Sequence, residues 1–201
     1  MSPRARLALL LVAGCAAVLV PDRRGTTQAA QARDDRPPDQ VPRFTPSGAL
    51  VRPEGWETWV MVGASTGLSY NESARPPAGD SPGMFHNVYL QPWAYKRFLE
   101  TRAFPEGAMF VLAFFEPSRK ATPARAGFYE GEQLPGFEVH LKWKGTDTTG
   151  WGFYNFGDSA ETTAMIPGAA SCYTCHAAEA AHDHVFTQFY PPLRARLTPV
   201  Q

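Results

Sequence analysis

The sequence predicts an α+β fold: a mainly antiparallel β-sheet with a few helices, the C-terminal ones set apart from the sheet. Three observations predict it. Short runs rich in aromatic and β-branched residues follow one another through brief turns, as hairpin-connected strands do and βαβ units do not. Proline (19) and glycine (17) are abundant, which favours many turns and short elements over a helix bundle. The strand pattern stops near residue 169, and residues 169–196 are alanine-rich and then amphipathic, a helical pattern. A chain of 201 residues, 44% hydrophobic, makes one domain with a sizeable core but not comfortably two.

The N-terminus reads as an export segment over residues 1–32. Arg4 and Arg6 precede an apolar run from Leu7 to Val20, too short to span a bilayer easily but suited to a signal-peptide core. Three endings are open. Val12-Ala13-Gly14-Cys15 looks like a lipobox, which would make Cys15 a lipidated first residue. Ala30-Gln31-Ala32 is an A-x-A-like cleavage site. An uncleaved segment would leave the chain attached to the membrane. All three place the domain outside the cytoplasm, and a periplasmic location is expected. Without residues 1–32 the chain keeps 15 basic and 18 acidic groups, so it offers no electrostatic case for nucleic acid. Residues 33–49 are polar and proline-rich, without apolar period, and are expected to form a flexible linker before a domain over 50–201.

Within that domain Trp56 and Trp59-Val60-Met61-Val62 predict a short turn leading into a first strand. Residues 67–83 form a long Gly- and Pro-containing loop. Phe85 to Leu90 is β-rich, and Pro92 is well placed at the first turn of a helix through Glu100. After the turn Phe104-Pro105-Glu106-Gly107, Met109 to Phe115 is an almost wholly apolar strand, buried on both faces. A polar loop over 118–126 precedes a strand starting at Gly127. Phe137 to Trp143 alternates with period two, one face buried and one wet, which puts His140 in solvent beside Glu138 and Lys142. Trp151 to Phe156 is the last strand.

The stretch that carries chemistry is Cys172-Tyr173-Thr174-Cys175-His176. It reads C-x-x-C-H, the attachment signature of a c-type haem: two thiols a helical turn apart for the vinyl groups, and an imidazole for the iron. A redox dithiol, a structural disulfide and half a zinc site are the alternatives, the last with His182 and His184 as the nearby further ligands.

Several stretches together resemble the cytochrome P-460 family, which includes the cytochromes c′-beta. They are Phe85-His86-Asn87-Val88-Tyr89 with Tyr95, Phe104-Pro105-Glu106-Gly107, Trp151-Gly152-Phe153, the C-x-x-C-H motif, and Asp183-His184-Val185-Phe186-Thr187-Gln188-Phe189-Tyr190-Pro191. The resemblance covers roughly residues 50–197. It implies a homodimer with one covalent haem c, held by Cys172 and Cys175, and His176 as the proximal iron ligand. Members of the family that oxidise hydroxylamine carry a lysine cross-linked to the haem edge on the strand after the F-P-x-G turn. That position falls at Leu112, and residues 106–117 contain no lysine. The resemblance therefore points to the gas-binding c′-beta type, with nitric oxide the foremost ligand, and away from hydroxylamine oxidation.

Period two places Phe110 and Phe114 on the same side as Leu112, an apolar distal face that admits a neutral diatomic gas. His86 falls where cross-linked members carry an arginine near the iron, and Phe85 adjoins it. Phe186 and Tyr190 are expected against the porphyrin or the sheet, and His184 is expected to orient the last helix. No Met follows His176, so a methionine sixth ligand would have to be Met84 or Met109. Three function classes follow: a gas-binding haem protein, an oxidoreductase acting on hydroxylamine or peroxide, and an electron carrier with a second axial ligand. The redox partner is unspecified.

Overall fold

Consecutive strands joined by turns leave a chain little choice but to pair with its own neighbours, and this chain does so throughout. The computed structural model describes residues 36–69, 81–119, 122–146 and 149–197. The export segment with Cys15, and part of the expected loop over 67–83, lie outside the described residues. Five strands form an antiparallel meander in chain order: β2 (Val60–Thr66), β3 (Phe85–Leu90), β4 (Met109–Arg119), β5 (Phe128–Lys142) and β6 (Trp151–Phe156). A second, two-stranded sheet pairs β1 (Leu50–Val51) with β7 (Thr162–Thr163). Among the described residues three α-helices accompany the sheets: α1 (Pro92–Thr101), α2 (Ser171–Glu179) and α3 (Pro191–Leu197).

The α+β class and its antiparallel sheet are as the sequence predicts. Four local expectations differ. Residues 36–49, expected as flexible linker, are ordered: a 3-10 turn spans Pro38–Gln40, and Phe44 bridges Leu50. Buried Gln91 explains the anchoring, since its amide donates to the Gln40 carbonyl (2.6 Å) and accepts from the Met109 N–H (2.8 Å). The two strands expected around Gly127 and Phe137 are one 15-residue strand, because register shifts against β4 near Phe115 absorb the irregularity at Pro135-Gly136. With Arg119 paired to Phe128, the expected polar loop shrinks to a connection between them. Finally, Val185 to Tyr190 is not α-helical. Asp183 and His184 adopt left-handed backbone (φ 46° and 59°), a tight turn pairs His182 with Val185, and a 3-10 turn spans Thr187–Phe189.

Alternation along the strands gives the sheet two apolar faces. On one, Met109, Val111, Ala113, Phe137, Val139 and Leu141 pack with Trp56 and Trp59. On the other, Val62, Val88, Leu90 and Phe110 pack beneath α1 and the C-terminal segment, through Ala94, Phe98 and Leu193. Burying a phenylalanine such as Phe98 contributes about 1.5–3 kcal/mol. The second face is only partly covered by α1. The remainder holds the site.

Candidate functional site

A cavity of about 540 Å³ lies between this second face and the C-terminal segment. That volume is within the roughly 300–1,000 Å³ usual for small-molecule and cofactor sites. Its sheet wall follows the pleat. His86 and Val88 come from β3, Phe110, Leu112 and Phe114 from β4, Glu138 and His140 from β5, and Phe153 from β6. Cys172, Cys175, His176, Phe186, Phe189 and Tyr190 supply the opposite wall. Of the residues expected at the haem or its distal pocket, Phe85 is the one that does not line it. It alternates with His86 and so belongs to the other face, with Asn87 and Tyr89. Met84 and Met109 do not line the cavity either; Met109 is buried in the opposite core.

The motif helix α2 is oriented by one side chain. Tyr173 is buried, and its hydroxyl donates to the Ile166 carbonyl (2.9 Å) and accepts from the Phe153 N–H (3.4 Å). With Tyr173 turned to the strand, Cys172, Cys175 and His176 come to the cavity. The two cysteines are not joined to each other, and both are partly buried. Burial, with Glu138 nearby, pushes the Cys172 thiol up. Among the described residues no group of three or more His, Cys, Asp or Glu is placed to hold a metal ion.

His176 is fixed in both position and tautomer. Its ring packs among His140, Phe153 and Phe186, with centroids 4.8, 4.6 and 4.5 Å away. Its Nδ1 lies 2.7 Å from the His184 carbonyl, which can only accept, so Nδ1 carries the proton and Nε2 keeps its electron pair. Burial lowers its pKa, which the hydrogen bond to His184 opposes; the net result favours the neutral ring. His184 thus acts on His176 through its main chain. His182 does not turn to the cavity: its Nε2 meets the Arg102 carbonyl at 2.9 Å.

His140 corrects the sequence reading most directly. It was expected in solvent; it stacks on Phe153 at 4.2 Å with rings 9° apart, and its Nε2 is buried without a hydrogen-bond partner. The period-two pattern is real, but the face that reads as polar is the cavity wall. Burial, then the His176 and His184 imidazoles and the Lys142 ammonium, hold His140 well below the usual histidine range. The same misreading hid Glu138, the cross-strand partner of Leu112. It lines the cavity, and although the residue as a whole stays exposed, the walls shield its carboxyl in part from water and push its pKa up. His86 stands edge-on to Phe114 at 5.2 Å, and burial lowers its pKa. Gly63 was also missed. The Tyr190 ring lies directly against it, where only a residue without a side chain fits.

The arrangement is therefore two thiols and a neutral imidazole on one wall, facing a largely apolar wall that carries Glu138, His86 and His140. A family model described as Cytochrome P460 matches residues 53–187. No curated protein matches the chain significantly. The match spans well over half of the sequence and includes the sheet, the cavity and the C-x-x-C-H helix, so the chain belongs to the cytochrome P460 family and is a haem cytochrome.

Proposed function

We propose that the chain is an exported mono-haem c-type cytochrome that binds nitric oxide or another small neutral gas, as the cytochromes c′-beta do. The residues present fit the group. The cavity is of cofactor size and largely apolar, both thiols and His176 reach it from one helix, and Nε2 of His176 is left as the donor. Cys172 and Cys175 would hold the macrocycle through thioethers and His176 would be the axial ligand. When bound, haem supplies an iron that takes one protein imidazole and an exchangeable ligand.

The observation that carries the gas-binding reading is the wall of β4. Phe110, Leu112 and Phe114 all face the cavity, and Leu112 stands where the hydroxylamine-oxidising relatives are expected to carry their lysine. Leucine forms no cross-link to a haem edge. Apolar side chains at these three positions exclude water and anions but not a neutral diatomic molecule. No methionine or lysine lines the cavity among the described residues. A single set of absorption spectra tests the proposal. A five-coordinate, high-spin ferrous spectrum that changes sharply with nitric oxide is expected, and a stable low-spin ferrous spectrum overturns it.

A second reading, peroxide turnover, is favoured by Glu138 and His86. Both are titratable and both stand on the cavity wall. Assay with peroxide and an electron donor separates it from plain gas binding. Hydroxylamine with an artificial acceptor is expected to give no turnover. Export and a homodimeric state complete the proposal. The first is supported by the Arg4, Arg6 and Leu7–Val20 pattern and the second by the family resemblance; the mass of the mature chain reports the processing site together with any bound haem.

A further inference from the structure

The His184 carbonyl that fixes His176 sits on backbone that is costly to hold. Asp183 and His184 are consecutive non-glycine residues with φ of 46° and 59°. Each such residue costs on the order of 1–3 kcal/mol and persists only where its surroundings over-determine it. The surroundings do so here through the Asp183 carboxylate. One of its oxygens is paired with the Lys142 ammonium, and the other accepts from the Trp151 indole N–H at 3.2 Å. Lys142 and Trp151 are themselves cross-strand partners at the end of the β5–β6 pair, with the ammonium 5.3 Å from the indole ring centre. The turn is closed by Val185 N–H donating to the His182 carbonyl at 2.8 Å.

We infer that Asp183, clasped by Lys142 and Trp151, is a positioning residue that aims the His184 carbonyl at His176 Nδ1 and so sets the electron donation of the proximal imidazole. The chain of contacts runs from the sheet to the iron side without a gap: β5 and β6 grip the carboxylate, the carboxylate fixes the left-handed turn, and the turn presents its carbonyl at 2.7 Å. A proximal imidazole that donates Nδ1–H to a well-held acceptor is more basic and binds iron more firmly. Both anchors are only partly exposed, 24% for the Lys142 side chain and 27% for that of Asp183, so their pairing is less screened than a surface ion pair. The inference rests on His176 being the axial ligand, as proposed above.

Asp183→Asn is the direct test. Asparagine tolerates left-handed backbone and still offers an oxygen to Trp151, but it gives up the charge that holds Lys142. The haem-loaded variant is expected to show a lower iron–imidazole stretching frequency in the ferrous resonance Raman spectrum and a higher reduction midpoint. Lys142→Gln is expected to move both in the same direction by less, since Trp151 still donates; its partly exposed position keeps the test available should Asp183→Asn fail to accumulate. Haem-loaded variants that melt lower but keep the parental frequency and midpoint overturn the inference, because the clasp is then structural only. The parent's own mass separates the two levels: a parent chain without thioether-bound haem defeats the ligand reading, whereas altered clasp residues with parental spectra defeat the clasp alone.

Discussion

Glu138 shows how one side chain's surroundings set its chemistry. Burial in the cavity wall raises its pKa above the ordinary 4.5 or so. The folded chain keeps this proton over a pH range in which the unfolded chain has lost it. Stability is therefore lost as pH rises from about 4.5 through the raised value, because the carboxylate must then be charged where the cavity walls strip away part of its water. Glutamine does not incur that cost. Glu138→Gln is expected to melt higher than the parent near neutral pH, with the difference vanishing as pH falls towards 4. Paired thermal melts at the two pH values check this, and a variant that melts lower near neutrality contradicts it. His86 has the opposite sign. Burial lowers its pKa, so the folded state loses stability as pH falls below the ordinary histidine value of 6.5, and the ring is neutral at the cavity wall above it.

At the scale of elements, the close approach between β2 and the C-terminal segment decides how wide the cavity is. A Cβ on Gly63 would run into the Tyr190 ring, coming within 2.9 Å of its Cε1 and closer still to Cδ1. Gly63→Ala is expected to cost about 1–3 kcal/mol through overpacking, read from denaturant midpoints. In a Tyr190→Ala background the same change is expected to cost little, and a full cost there would show that the strain lies elsewhere. The elements also divide by how legible they were in the sequence. Phe85–Leu90, the Pro92 helix and Trp151–Phe156 announce themselves by period and by proline position. The two threonines of β7 carry no apolar alternation and give no signal. In β5, alternation correctly groups Glu138, His140 and Lys142 on one face, but periodicity cannot say what that face meets. A polar row beside a cofactor cavity and a polar row beside water look alike in sequence.

For the whole molecule, the second face of the sheet must serve as both core and site wall. Phe98 ties these together: it is fully buried, stacks on Phe104 at 4.5 Å and anchors α1 to the cluster that includes Trp151 and Leu193. Phe98→Ala is expected to cost about 3–5 kcal/mol, measured by chemical denaturation; a loss below 1 kcal/mol would mean that α1 is not coupled to this core. Since a domain's total stability is only about 5–15 kcal/mol, that loss brings the molecule close to unfolding. The gathering of two thiols and an imidazole on one helix at the cavity was legible from five residues, because C-x-x-C-H spaces them about one turn apart. The partner of His176 was not, since a main-chain carbonyl leaves no trace in residue identity and depends on backbone shape alone.

The shallow seating of α2 has its own consequence. Nine residues long, with Tyr173 as its one buried side chain and no side-chain N-cap, it is lightly secured. Under the covalent attachment proposed above, the meander can form first and α2 can dock afterwards, with both thiols still within reach when the prosthetic group is joined to a nearly finished scaffold. Attachment would then rivet the helix down, making the pigment a late structural member of the molecule as well as its working part.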